Sequence, residues 1–235
     1  MSNETEYSLQ ARTNPVYLTA KTAVCLMADA GIPDAADIVR CLNIENNEFG
    51  INDPDIMLGN ELVVESKFRT MCKLIEDTGI RTSVDLPCGY TPKALHLSEK
   101  GLRFIGLDLP IVASEIEPVI LGLAAHPERI RFHGIDATNL ESLQTALRDV
   151  EGPLCITTEG MMMYFTENEA STVVSNIRSL LEEFGGCWIT PDPEFIVQFF
   201  LTFKSVLGEN AVQKLLTTRE TARSEEHTSE LQSRI

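Results

Sequence analysis

Between residues 81 and 189, short apolar runs alternate with stretches that carry helix start and stop signals. That alternation leaves few folds open. The runs are Ser83–Leu86, Phe104–Leu107, Ile130–Phe132, Leu154–Ile156 and Cys187–Ile189. Thr91 and Pro92 read as the cap and first residue of one intervening helix, which Gly101 stops. A capping box, Thr166-Glu167-Asn168-Glu169, opens another that runs to Gly185. Strands alternating with helices of this length predict a parallel sheet with right-handed crossovers. The expected architecture is a doubly wound α/β domain over residues 81–222.

Upstream the texture is helical, with no alternation of period two. Pro15 opens a segment from Val16 to Ala30 that Gly31 and Pro33 close. Asp34 is placed to cap a short helix carrying Ala36, Ile38, Val39 and Leu42. A longer stretch, residues 57–78, puts Val64, Phe68, Met71, Cys72 and Ile75 on one face before Gly79 ends it. Residues 1–80 are read as an N-terminal helical cap.

Composition narrows the function classes. Acidic residues outnumber basic ones 35 to 19, for a formal charge of −16. Such a surface repels phosphate backbones and anionic headgroups, so neither nucleic acid nor a membrane is an expected partner. No run approaches the ~18 apolar residues of a membrane span. Met1–Ala20 carries Glu4, Glu6 and Arg12 and predicts no signal peptide. The six cysteines form no CxxC pair and sit mostly in apolar runs, as in a reduced cytoplasmic protein.

In a doubly wound sheet, ligands sit beyond the carboxyl ends of the strands. The first strand-to-helix turn, Asp85-Leu86-Pro87-Cys88-Gly89-Tyr90-Thr91-Pro92, has one glycine where a dinucleotide fingerprint needs three. Pro87 and Pro92 have no N–H to offer a pyrophosphate. The turn suits a nucleoside ligand that approaches the backbone once, at Gly89. Asp108 follows Asp85 by 23 residues, near the roughly 20-residue offset of a ribose-binding acid. It is equally suited to capping the helix begun by Pro110. Asp136, at the third strand end, fits an exocyclic amine or a cap. Strand four ends in Thr157-Thr158-Glu159-Gly160, before Met161-Met162-Met163-Tyr164-Phe165. Acids thus stand at four successive strand ends: Asp85, Asp108, Asp136 and Glu159. Four separate caps would account for them, and so would one cationic nucleoside ligand. His133 and Asp136 have no third partner nearby, so no metal site is expected. Cys88 reads as a packing residue, and no nucleophile elbow is present.

These residues resemble the class I S-adenosylmethionine-dependent methyltransferases, and more narrowly the leucine carboxyl methyltransferase and polyketide O-methyltransferase family. The match is carried by Asp-Leu-Pro-Cys-Gly-Tyr-Thr-Pro at 85–92, Gly-Leu-Asp-Leu-Pro at 106–110, Ile-Asp-Ala at 135–137 and Thr-Glu-Gly-Met-Met-Met-Tyr-Phe at 158–165. It covers roughly residues 15–200. The resemblance implies a Rossmann-like, mostly parallel sheet with an N-terminal helical cap, and S-adenosylmethionine as cofactor. Gly89 would then pack against the methionine part and Asp108, beside Leu109, would bind the ribose hydroxyls. Asp136 and Ala137 would hold the adenine, and Glu159, like Asp85, would line the cofactor site. Arg69 matches an arginine that pairs with the cofactor carboxylate, although it also fits a solvated helix face. Pro87 departs from the family, which more often has glycine there.

The implied activity is methyl transfer to a carboxylate or hydroxyl of a small molecule, or to a protein C-terminal carboxylate. A carboxylate acceptor needs no general base; for a hydroxyl, Tyr164, Glu159 or His133 are candidates. The alternatives are an NAD(P)-type oxidoreductase on a similar sheet, and a cofactor-binding module without turnover. Residues 223–233, Arg-Ser-Glu-Glu-His-Thr-Ser-Glu-Leu-Gln-Ser, resemble the in-frame translation of a common sequencing adapter. On that reading 223–235 is an artefact tail and the fold is C-terminally truncated, short of the family's last two strands.

Overall fold

The structure is a computed structural model, and it describes residues 15–44 and 54–192. Residues 45–53 and those from 193 onward, the 223–233 segment included, lie outside the described residues.

Three helices precede the sheet: α1 (Pro15–Asp29), α2 (Ala35–Cys41) and α3 (Pro54–Asp77). The expected spans hold to within a few residues. Gly79 closes α3 with a left-handed φ of 70°. Asp34 differs from expectation: it takes a positive φ of 66° and its side chain caps nothing. Phe68, Met71, Cys72 and Ile75 are buried and Val64 is half-buried, as their spacing predicts.

From residue 82 the chain alternates: β1 (Thr82–Asp85), α4 (Lys93–Glu99), β2 (Arg103–Asp108), α5 (Pro110–Leu123), β3 (Ile130–Gly134), α6 (Leu140–Ala146), β4 (Leu154–Thr157), α7 (Glu167–Phe184) and β5 (Gly186–Ile189). The strand order is β3-β2-β1-β4-β5, and every pairing is parallel. This is the doubly wound arrangement. Its direction reverses between β1 and β4, where Asp85 is in register with Thr157, and such a switch point opens a crevice at the carboxyl edge.

Alternate strand residues feed two cores. Phe104, Phe132 and Cys155 pack on one face with helices α1 to α5. Val84, Ile105, Leu107, Leu154 and Ile156 pack on the other with α6 and α7. The cap helices thus share a core with the sheet. The box at Thr166 forms: its Oγ accepts from Glu169 N, and the Glu169 side chain accepts from Thr166 N at 2.7 Å. Among the described residues no helix is long and apolar enough to cross a membrane.

Candidate functional site

The turn after β1 is stitched to both neighbouring strands. Leu86 N donates to Thr157 O at 2.9 Å and Cys88 N to Leu107 O at 3.1 Å. Gly89 takes a left-handed φ of 53°, and a side chain there would meet nothing within 4 Å. The turn therefore presents open backbone at that point. Beyond it the chain dives back into the core: Tyr90 is buried, and its hydroxyl donates to Glu115 at 2.6 Å. Lys21 of α1 lies 3.5 Å from the same carboxylate oxygen and over the Tyr90 ring. Cys88 packs in the core, and burial pushes its thiol well above the ordinary value. That is the environment of a packing residue rather than a nucleophile.

Asp108 faces this turn. Its Oδ2 accepts from Gly89 N and its Oδ1 from Leu109 N, each at 2.7 Å. The residue is 7% exposed. Burial pushes its carboxyl up to about 6, with the two N–H groups restraining the rise. It does not cap α5, whose N-cap is Leu109 and which has no side-chain cap. A carboxylate oxygen can accept two hydrogen bonds, so capacity for further donors remains beside these two N–H groups.

Asp85 and Glu159 are placed differently from expectation. Asp85 is fully buried, with Lys93 Nζ 3.0 Å from Oδ1 and 2.9 Å from Oδ2, and Thr157 Oγ1 donates to Oδ1 at 2.6 Å. Lys93 also reaches Glu159 at 3.4 Å, and Lys67 of α3 reaches the other Glu159 oxygen at 3.1 Å. Burial raises Glu159, but the two ammonium groups outweigh it and hold the carboxyl below its usual range. Lys93 loses hydration, yet two carboxylates hold its proton more firmly than water does. Asp85 shares that one ammonium without solvent, and burial leaves its carboxyl raised. Two of the four acids are thus balanced from inside the fold, by Lys67 and Lys93.

Asp136 forms a local turn: its Oδ1 accepts Thr138 N at 2.8 Å and Thr138 Oγ1 at 2.7 Å. The cap of α6 is Asn139 instead. Ala137 is buried, and its carbonyl accepts from Asn176 Nδ2 of α7 at 2.9 Å. Arg69 lies on the solvated face of α3. Its side chain is 63% exposed and pairs with Glu65 one turn earlier, at 2.8 Å. Residues two apart on a helix point about 200° from each other, so the face that buries Phe68 and Met71 brings in Lys67.

Three residues of the site escaped the sequence reading: Lys67, Lys93 and Asp192. Lys67 carried a signal, lying three after Val64 and four before Met71 on the apolar face. Lys93 follows a proline at a helix start, where a cation is unfavourable unless acids hold it. Asp192 is 1% exposed and takes the N–H groups that follow Glu159: Gly160 at 2.6 Å, Met162 at 3.2 Å and Met161 at 3.3 Å. From the cap side, Thr19 of α1 hydrogen-bonds Tyr164, whose hydroxyl burial pushes up.

No protein-family model matches the chain, and no curated protein sequence does. Several solved structures are similar to parts of the chain. Magnesium protoporphyrin IX methyltransferase (ChlM) from Synechocystis PCC 6803 with bound SAH is 13% identical, over 65% of this chain and 65% of that one, with a TM-score of 0.43. The same protein with bound SAM gives 16%, 67% and 71%, with a TM-score of 0.42. An O-methyltransferase family protein from Burkholderia thailandensis gives 16%, 72% and 52%, at 0.40. The chain thus spans less than two thirds of the first of these and about half of the last. The fold itself is defined by the strand order and register above.

Proposed function

We propose that the protein is an S-adenosylmethionine-dependent methyltransferase of class I. The observation that carries this reading is the pairing of an open, single-glycine turn at Gly89 with the buried carboxylate of Asp108 on the next strand. The residues fit the cofactor. The space beside Gly89 is open, and a Cβ there would intrude on it. Asp108 offers acceptor capacity to ribose hydroxyls. A dinucleotide fits worse: its pyrophosphate would meet the Asp108 carboxylate at a turn where Pro87 and Pro92 offer no N–H. When bound, the cofactor supplies a methyl group activated on a sulfonium. The chain's own residues contribute positioning and electrostatics.

We read the acceptor as a carboxylate, on a small molecule or at a protein C-terminus, which makes the reaction an O-methylation of the leucine carboxyl methyltransferase type. In support, neither Glu159 nor Tyr164 is tuned as a base at neutral pH. Two lysines hold the first below its usual range and burial pushes the second up. A carboxylate is already ionised and needs none. A cytoplasmic location is part of the same proposal.

Equilibrium dialysis with methyl-labelled S-adenosylmethionine tests the cofactor. Retained label displaced by S-adenosylhomocysteine and not by NAD is expected; displacement by NAD alone would return the oxidoreductase reading. Transfer of label to carboxylate rather than hydroxyl acceptors tests the acceptor class.

A further inference from the structure

We propose that Asp192 is a positioning residue of this site, holding the backbone after β4 on the path that delivers Glu159 to Lys67 and Lys93. The binding part of the proposal rests on the cofactor reading above; the structural part does not.

Glu159 lies between two clamps, both supplied by β5 and the residues just after it. On one side Thr158 N donates to Ile189 O at 3.1 Å, and Trp188 Nε1 donates to Thr158 Oγ1 at 2.9 Å. On the other, the Asp192 carboxylate gathers the three successive N–H groups of Gly160, Met161 and Met162. Converging backbone N–H groups form an anion-binding concavity, and here an internal carboxylate fills it. Asp192 N donates to Thr190 Oγ1 at 3.2 Å, which fixes the acid's own approach. Gly160 supplies the turn with a φ of 73°. Between these anchors the Glu159 side chain has a defined direction, toward Lys67 at 3.1 Å and Lys93 at 3.4 Å. Without the second anchor its backbone swings, the lysines lose a partner, and the carboxyl drifts back toward its ordinary range.

The test is Asp192→Asn in the full 235-residue chain, read by NMR without ligand and by calorimetry with S-adenosylhomocysteine. The Gly160, Met161 and Met162 amides should exchange about tenfold faster, the loss of a charge-assisted hydrogen bond. Amides of β1 to β3 should hold, and the Glu159 titration midpoint should rise. S-adenosylhomocysteine affinity should fall by about tenfold. A residue that merely stabilised the fold would lower stability without moving the Glu159 midpoint. Unchanged exchange and an unchanged midpoint in folded Asp192→Asn would overturn the proposal. Should that variant not fold, Gly160→Ala strains the same turn from the other side and should raise the Glu159 midpoint; an unmoved midpoint overturns the proposal equally. If these ligand-free changes occur but wild type does not bind S-adenosylhomocysteine, the cofactor reading fails and the positioning role stands.

Discussion

Asp108 Oδ2 accepts the backbone N–H of Gly89 at 2.7 Å, tying the turn after β1 to the end of β2. One carboxylate therefore shapes the glycine turn and offers acceptor capacity beside it. Replacing Asp108 removes both. Lost hydrogen bonds to a charged acceptor cost about 2–3 kcal/mol, so Asp108→Ala should weaken S-adenosylmethionine binding by about 30- to 150-fold. Equilibrium dialysis measures it, and an affinity within threefold of wild type, with the fold intact, would reduce Asp108 to a shaping role.

Acid pH should act on the same group in two opposite ways. Its carboxyl is raised from 3.8 to about 6 in the folded protein, so the native state binds that proton more tightly than the unfolded chain. The stability contribution of this group is therefore largest below the unfolded value and declines as pH rises from about 4 to about 6. At about 1.4 kcal/mol per unit, the decline is on the order of 3 kcal/mol. Urea denaturation should show wild type losing stability relative to Asp108→Asn across that window. Ligand affinity should move the other way, strengthening as the carboxylate ionises, and the variant should lack that dependence.

The Lys93 ammonium, whose side chain is 2% exposed, lies between two carboxylates. Removing one partner from a buried ion pair costs about 3–5 kcal/mol, because the remaining charge stays buried. Lys93→Met should be destabilised by that order, and adding Asp85→Asn should restore part of it. Chemical denaturation of the single and double variants decides this. An additive double variant would show that the two residues do not act together.

Gly89→Ala separates binding from folding. The left-handed φ of 53° costs an alanine about 1–2 kcal/mol, but its methyl would meet no atom within 4 Å. A folded, mildly destabilised protein with cofactor affinity lowered by at least tenfold is expected in thermal unfolding and dialysis. Unchanged affinity would mean that the open space at Gly89 is not where the ligand lies.

The sheet was legible in the sequence because its signals are local. Apolar runs mark strands such as Phe104–Leu107, and the Thr166 box marks a helix start by hydrogen bonds three residues apart. The site was legible only in part. Asp108 and Gly89 carry a spacing that sequence displays. The Lys93–Asp85 and Lys67–Glu159 pairs join residues brought together by the sheet and the cap, and no local pattern records them. Asp136 spends one oxygen on Thr138, a choice of turn that its position alone leaves open. Arg69 fits a motif position and a solvated face alike, and helix geometry sets it away from the face on which Lys67 lies.

On the proposed function, the open space beside Gly89 and Asp108 takes an adenosyl sulfonium cofactor and not a dinucleotide. Calorimetric titration of the 235-residue protein with S-adenosylhomocysteine, and separately with NAD, tests it most directly. Saturable heat at one site per chain with S-adenosylhomocysteine, and none with NAD, is the expected result. Binding of NAD with no heat from S-adenosylhomocysteine at high micromolar concentration would contradict it.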